Sequence, residues 1–164
     1  MNTVTHALLP VIAAGLYERS YALMDQHRGT LSPKTIAVIG IFGAAPDLLN
    51  PHLSLAARYS SWSHGLFFWA VLTIGLVIYT AIRRSQPSRW VTVVWLSGAY
   101  LLHIGCDAIS GGIAWVYPFG HQVIGARIVA YRWWMPLDIG CGVTAYLVFR
   151  AIPMIVEQRA TVKI

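Results

Sequence analysis

Hydrophobic residues along the chain gather in five runs that are separated by polar connectors. The runs occupy residues 5–17, 36–49, 66–82, 90–106 and 135–156. The third and fourth are unbroken for 17 residues each, close to the ~20 that a helix needs to cross a bilayer. The first two are shorter, and each contains a proline. The first run either crosses the bilayer with the flanking residues to Leu23 included or lies partly in the interface. The pattern predicts an all-α fold: a polytopic membrane helical bundle of about five transmembrane or membrane-embedded helices, in a single domain that spans residues 1–164.

Composition supports a membrane location. The chain is 57% hydrophobic and only 11% charged, whereas soluble domains average about 25% charged residues. The net charge of +6 does not indicate nucleic-acid binding, because the basic residues are scattered and form no block or stacking platform. We expect membrane lipids as partners and no nucleic acid.

The distribution of basic residues predicts an orientation. The loops at 18–34 and 83–89 and the C-terminal end carry nine basic residues, and the connectors between them carry three. Lys and Arg are enriched in cytoplasmic loops. The chain is therefore predicted to be multi-pass, with its N-terminus outside and its C-terminus in the cytoplasm.

Five polar residues mark the ends of the apolar runs on the predicted external side. In chain order they are His6, Asp47, His64, His103 and Asp107. His103 and Asp107 lie four residues apart, so on a helix they share one face. Imidazole and carboxylate groups are ordinary zinc ligands, and ionisable residues this close to lipid usually serve a function. The five residues predict a site for one or two divalent metal ions, with zinc the expected metal.

Each candidate also has a purely structural interpretation. His103 and Asp107 could form a capping hydrogen bond at a helix end, and Asp47 could be an ordinary turn residue. Ser63 could cap the N-terminus of the third helix, with His64 as the first residue of that helix.

Two further residues are left open as members of the site. His52 follows Asp47 closely in the sequence. Asp138 opens the fifth run, where a carboxylate is also favoured by the helix dipole alone. His121 is expected to be a solvated loop residue.

An ordered set of short motifs extends through most of the chain. The set is Thr5-His6, Pro46-Asp47, Ser63-His64 and His103-x-x-x-Asp107, followed by Gly111-Gly112 and Tyr117-Pro118. It resembles the LexA-regulated, inner-membrane family of metal-dependent hydrolases. The resemblance implies a multi-pass helical protein of a bacterial inner membrane, with four or five spans and a metal site, distantly similar to zinc-dependent phospholipases C. It further implies that Asp47, His64, His103 and Asp107 hold one metal, and that His6 helps to hold a second with Asp107 as the bridge.

The chain departs from that family pattern at three points. Leu49 stands where family members often carry a second acid, and Tyr59-Ser60-Ser61 stands where they often carry His-Arg-Gly. The later His-x-x-x-Glu pair of the soluble phospholipases has no counterpart after Asp107. These departures favour one or two metal ions over three.

The first functional hypothesis is a membrane-bound, metal-dependent hydrolase at the outer face of the inner membrane. Its expected substrate is a phosphoester of a lipid or lipid-linked molecule, with a metal that acidifies water and polarises a phosphoryl or acyl oxygen. Asp47 or Asp107 could serve as the base, and Asp47 is the residue we assign to catalysis.

Two other hypotheses use the same residues. The first is a non-enzymatic metal-binding or transport membrane protein, although the third run offers only Thr73 and Thr80 as polar residues for an ion pathway. The second is a structural scaffold whose polar residues only pack helix ends. The sequence leaves the oligomeric state open.

Overall fold

The computed structural model describes residues 2–25, 31–51, 54, 61–83 and 87–154. These residues are mostly helical and form five α-helices. The helices are α1 (Thr3–Asp25), α2 (Pro33–Leu49), α3 (Leu66–Ile82), α4 (Pro87–Ser110) and α5 (Trp134–Tyr146), and a π-helical turn, Leu147–Ala151, continues α5. Single 3₁₀ turns at Trp62–His64 and Tyr131–Trp133 precede α3 and α5.

Helix α2 lies at the centre of the arrangement, because it packs against both α1 and α4. Helix α5 packs on α1, and α3 packs on α4. Close approach of α1 and α2 depends on Gly43, where a Cβ atom would lie 2.4 Å from the backbone oxygen of His6. The N-terminus of α2 is well defined, since the Ser32 hydroxyl accepts a hydrogen bond from the Thr35 amide and Pro33 begins the helix.

The first helix includes the residues that flank its apolar run. The run at 5–17 covers roughly 13 residues, whereas α1 extends over 23 residues and includes Leu23, as in the longer of the two alternatives. Glu18 and Arg19 are polar and were assigned to a loop, but both are good helix formers. The Glu18 carboxylate also accepts a hydrogen bond from the backbone amide of Leu31 at 2.7 Å, which ties α1 to the start of α2.

The connector after α4 contains a small element that an all-α fold does not include. Helix α4 ends at Ser110, and Gly112 has a positive φ of 146°, a conformation that favours glycine. Strands β1 (Ile113–Ala114) and β2 (Val123–Ile124) then pair antiparallel, with Ile113 opposite Ile124. Helix α4 therefore ends immediately before the Gly111-Gly112 pair, and a short hairpin follows.

Among the described residues, two helices are long and apolar enough to cross a membrane, Ser88–Ser110 and Tyr131–Met154. Leu66–Ile82 is a shorter apolar helix of 17 residues. The predicted bundle of about five spans is therefore supported as a helical fold, and the number of crossings stays a prediction.

Candidate metal centre

Four side chains from three different parts of the chain converge at one end of the bundle. Asp47 comes from the last turn of α2, His64 from the 3₁₀ turn before α3, and His103 and Asp107 from the last turns of α4. One ligand atom from each residue lies within 4.8 Å of the others. The two histidines and Asp107 are buried, whereas the Asp47 side chain is 17% exposed. This group can hold a metal ion.

The two imidazoles present their Nε2 atoms to both carboxylates. Nε2 of His64 lies 3.3 Å from Oδ1 of Asp47 and 3.5 Å from Oδ2 of Asp107. Nε2 of His103 lies 3.7 Å and 3.3 Å from the same two oxygens. The two Nε2 atoms are themselves 3.3 Å apart. All four atoms therefore surround one small volume.

The tautomer of His103 follows from its other ring nitrogen. Nδ1 of His103 lies 2.7 Å from the backbone oxygen of Gly43. A carbonyl oxygen can only accept a hydrogen bond, so Nδ1 carries the proton and donates it. Neutral His103 therefore has a lone pair at Nε2, directed into the cluster.

A chain of polar groups gives His64 the same tautomer. The Ser63 hydroxyl donates its only proton to the backbone oxygen of Pro46 at 2.8 Å. Nδ1 of His64 lies 3.1 Å from the Ser63 oxygen and must donate to it. The hydroxyl of Ser61 also donates to Ser63 and in turn accepts from the amide of Asn50, both at 2.9 Å. Neutral His64 thus also points an Nε2 lone pair into the cluster.

The resulting electrostatics favour a cation. Two nitrogen lone pairs and two carboxylates face one another with no proton among them when both rings are neutral. Such an arrangement is unfavourable in a buried place unless positive charge is added. Metal-binding histidines commonly donate their second ring nitrogen to a backbone carbonyl or a similar acceptor, which is what His64 and His103 do.

His6 lies at the edge of this group. Its Nε2 atom donates to Oδ1 of Asp107 at 3.0 Å, and its ring stacks on that of His103 with 3.9 Å between centroids. Asp107 therefore contacts His6 through one oxygen and the two other histidines through the second. The structure brings together all five residues that the sequence singled out, although it places His6 beside the four-residue group.

Asp138 points to a different partner. Its carboxylate accepts hydrogen bonds from the backbone amide and the hydroxyl of Thr5, and from the side-chain amide of Asn2. Asp138 therefore caps the first turn of α1 from a neighbouring helix. It contacts Thr5, the residue that precedes His6 in the sequence. His52 and Tyr59-Ser60 lie outside the described residues.

One local prediction was wrong. Ser63 does not cap α3, because that helix begins at Leu66 after Gly65 and the Ser63 hydroxyl donates to Pro46. His121 is exposed, as expected.

Sequence reasoning also missed three supporting groups. The buried Tyr100 hydroxyl donates to the backbone oxygen of Ser63 at 2.6 Å and holds the 3₁₀ turn. The Thr3 hydroxyl donates to Oδ2 of Asp47 at 2.7 Å. The Gly43 carbonyl, in a helical turn that Pro46 disturbs, orients His103. The buried Tyr100, one turn before His103, was the only one with a sequence signal, since a tyrosine hydroxyl in an apolar run needs a partner.

Comparison with known proteins gives a family. The family model of the YdjM inner membrane protein matches residues 1–162. Neither the curated proteins nor the solved structures gave a match. The match confirms the inner-membrane family in the sequence resemblance, and the likeness to hydrolases and phospholipases C stays a prediction. Because the family model covers nearly the whole sequence, the chain belongs to the YdjM inner membrane protein family.

Proposed function

We propose that this protein is a membrane-bound, metal-dependent hydrolase, and that it acts on a phosphoester of a lipid or lipid-linked substrate. The observation that carries the proposal is the pair of imidazoles whose Nε2 lone pairs face two carboxylates within a buried volume. Nitrogen and oxygen ligands in this number are typical of zinc.

The proposed ligands form a group of four residues with a fifth residue beside it. Asp47, His64, His103 and Asp107 would hold the first ion. His6, through the second oxygen of Asp107, would help to hold a second. A bound divalent cation supplies charge that polarises a phosphoryl or acyl oxygen and acidifies water.

Asp47 is suited to accept a proton. It is the most exposed member of the cluster, and the Thr3 hydroxyl holds its Oδ2 atom. A base must reach both solvent and substrate, whereas Asp107 is buried between three histidines. We therefore assign proton transfer to Asp47, in addition to its place among the four ligands, and cation binding alone to Asp107.

The interior of the bundle favours hydrolysis over ion transport. The core cluster next to α4 is apolar and consists of Ala14, Leu31, Ile39, Leu96 and Ala99. An ion pathway through a bilayer needs polar or water-lined groups, and this cluster provides none. A site at one end of the helices suits a substrate that enters from the membrane surface.

The external side of the inner membrane is the proposed location of the site. The cluster lies where α1 and α3 begin and where α2 and α4 end. The opposite ends carry most of the basic residues of the chain, and such loops are usually cytoplasmic.

Metal content and turnover together test the proposal. The purified full chain is analysed for elements and assayed with phosphodiester and phospholipid substrates, beside His103→Ala and the exposed control His121→Ala. We expect one or two equivalents of zinc and turnover in the parent and control, with both lost in His103→Ala. Bound metal without turnover would favour the non-enzymatic metal-binding alternative. Protein without stoichiometric metal would overturn the site itself.

A further inference from the structure

The connector between α4 and α5, residues 111–133, joins the two helices of the described chain that are long and apolar enough to cross a membrane. Consecutive crossings place their connector at one membrane surface, whichever way the protein is oriented. The connector follows Asp107 by only a few residues, so that surface is also the one nearest the candidate metal centre.

Backbone hydrogen bonds hold the connector against the end of α4. The amides of Ala126 and Ile128 donate to the carbonyls of Ala108 and Ile109, both at 2.8 Å. The carbonyl of Trp115 accepts from the amide of Leu66 at 2.9 Å, which attaches the connector to the start of α3. The segment is therefore a folded part of the site end rather than a loose loop.

Large apolar side chains project from this folded segment. Phe119, Ile128 and Tyr131 are 78%, 74% and 75% exposed, and Trp133 is 53% exposed. A water-facing connector would leave this apolar area hydrated, which is unfavourable. Tyr and Trp are enriched where membrane meets water, because one end of each ring system is apolar and the other polar.

Two arginines lie among these residues. Arg127 and Arg132 are both exposed, and neither has a carboxylate partner within the part of the chain that the structure describes. Asp138, the nearest acid in sequence, is engaged by Thr5 and Asn2. A guanidinium group matches the geometry of a phosphate and binds it through two hydrogen bonds.

We propose that the connector is embedded in the headgroup layer of the bilayer, and that Arg127 and Arg132 bind the phosphates of membrane phospholipids. The aromatic and aliphatic side chains enter the acyl boundary, and the arginines meet the anionic layer above it. The inference deepens the proposed function and rests on it for one point. That point is the substrate class, which we infer to be the phospholipids of the surrounding bilayer. Its experiments measure membrane contact without turnover.

The first experiment measures depth in the membrane. A nitroxide is attached to Phe119→Cys or Ile128→Cys in the full chain, reconstituted in vesicles of phosphatidylglycerol and phosphatidylcholine. Ile74→Cys, on the exposed face of α3, is the bilayer reference, and free label is the water reference. The native cysteines are buried, so the parent chain serves as the labelling blank.

The depth of each nitroxide label is determined from its collision rates with oxygen and with a water-soluble nickel chelate. We expect labels at 119 and 128 to give values between the two references, as for the headgroup boundary. Values equal to free label would overturn the proposal. Shielding from both collision partners would also overturn it, because that result indicates a protein surface, such as a second copy of the chain.

The second experiment measures phosphate binding. Arg127→Gln with Arg132→Gln is compared with Arg83→Gln, which replaces an exposed arginine at the far end of α3. Native mass spectrometry counts the phosphatidylglycerol and phosphatidylcholine that remain bound. We expect retention of phosphatidylglycerol to fall by roughly fivefold or more in the double variant and to stay unchanged in the control. Equal retention in the two would overturn the role of the arginines.

The outcomes separate this inference from the proposed function. If the double arginine variant loses its bound lipid but keeps its zinc, the result supports the lipid-binding surface independently of the metal centre. Lipid binding that persists in a protein without metal or turnover would leave the surface in place and remove the hydrolase.

Discussion

The apolar segments that contain helices α4 and α5 have nearly the same length and hydropathy, but they serve the molecule differently. The segments Ser88–Ser110 and Tyr131–Met154 contain 23 and 24 residues and share a mean hydropathy of 1.3. In α4, 44% of the apolar window is buried inside the protein, whereas in α5 only 11% is buried. Similar hydropathy thus describes one helix inside the bundle and one at its periphery.

The polar residues of the two helices differ in the same way. Helix α4 ends in His103 and Asp107, which are buried in the candidate metal centre. Helix α5 begins near Asp138, whose carboxylate caps α1. Hydropathy reports whether a helix suits lipid, and the partners of its few polar atoms determine what it does. The following variants test this contrast.

The largest difference is expected between Asp107→Asn and Asp138→Asn, which remove the same charge from the two helices. Asp107 contacts three imidazoles, so its replacement should lower zinc affinity by more than the roughly 100-fold that loss of an outer partner can cost. Asp138→Asn should retain the full metal content. Competition with a zinc chelator measures both affinities, and equal losses would contradict the distinction between the helices.

The next effect concerns the group that orients His64. Ser63→Ala removes the acceptor of the Nδ1 proton, so the ring loses its preference for an Nε2 lone pair. Zinc affinity should fall by roughly 10–100-fold, and Ser63→Thr, which keeps the hydroxyl, should restore most of it. The matched control is Ser97→Ala, whose hydroxyl pairs with Trp69 and Thr73 away from the centre. A loss of similar size in the control would indicate general damage to the fold.

The candidate metal ligands were predictable because their spacing along the sequence and their positions at the ends of the apolar runs indicate which side chains lie together. His103 and Asp107 lie four residues apart, and helical geometry places them on one face. The alternation of charged loops placed His6, Asp47 and His64 at the same end. Each inference needed only helix periodicity and the order of the segments.

The groups that support the centre were not predictable in this way. The Gly43 carbonyl and the Ser63 hydroxyl act across helix contacts whose rotation and depth no single segment determines. The extent of α1 was left open because Glu18 and Arg19 interrupt its hydrophobicity without interrupting its helix. The hairpin after Gly112 depends on hydrogen bonds with the end of α4, which local sequence does not reveal.

A third prediction concerns the contact between α1 and α2, which positions His6 next to α4. At Gly43 a Cβ atom would lie 2.4 Å from the His6 backbone oxygen, and at Gly140 in α5 no described atom lies within 4 Å. Gly43→Ala should destabilise the protein by about 1–3 kcal/mol through overpacking. Gly140→Ala should leave the stability unchanged or slightly raised. Thermal unfolding in detergent measures both, and equal midpoints would mean that α1 can move away from α2 freely.

The smallest expected effect is the stability change in Asp138→Asn. The carboxylate accepts from the backbone amide of Thr5 and lies at the positive end of α1. Asparagine keeps one acceptor oxygen for Thr5 but loses the charge and the second oxygen, which accepts from the Asn2 amide, so we expect a loss of about 0.5–1 kcal/mol. That loss corresponds to a fall of a few degrees in the unfolding midpoint, which should shrink in high salt as the helix dipole is screened. A midpoint that is unchanged at every salt concentration would show that the hydrogen bond alone, and not the charge, connects α5 to α1.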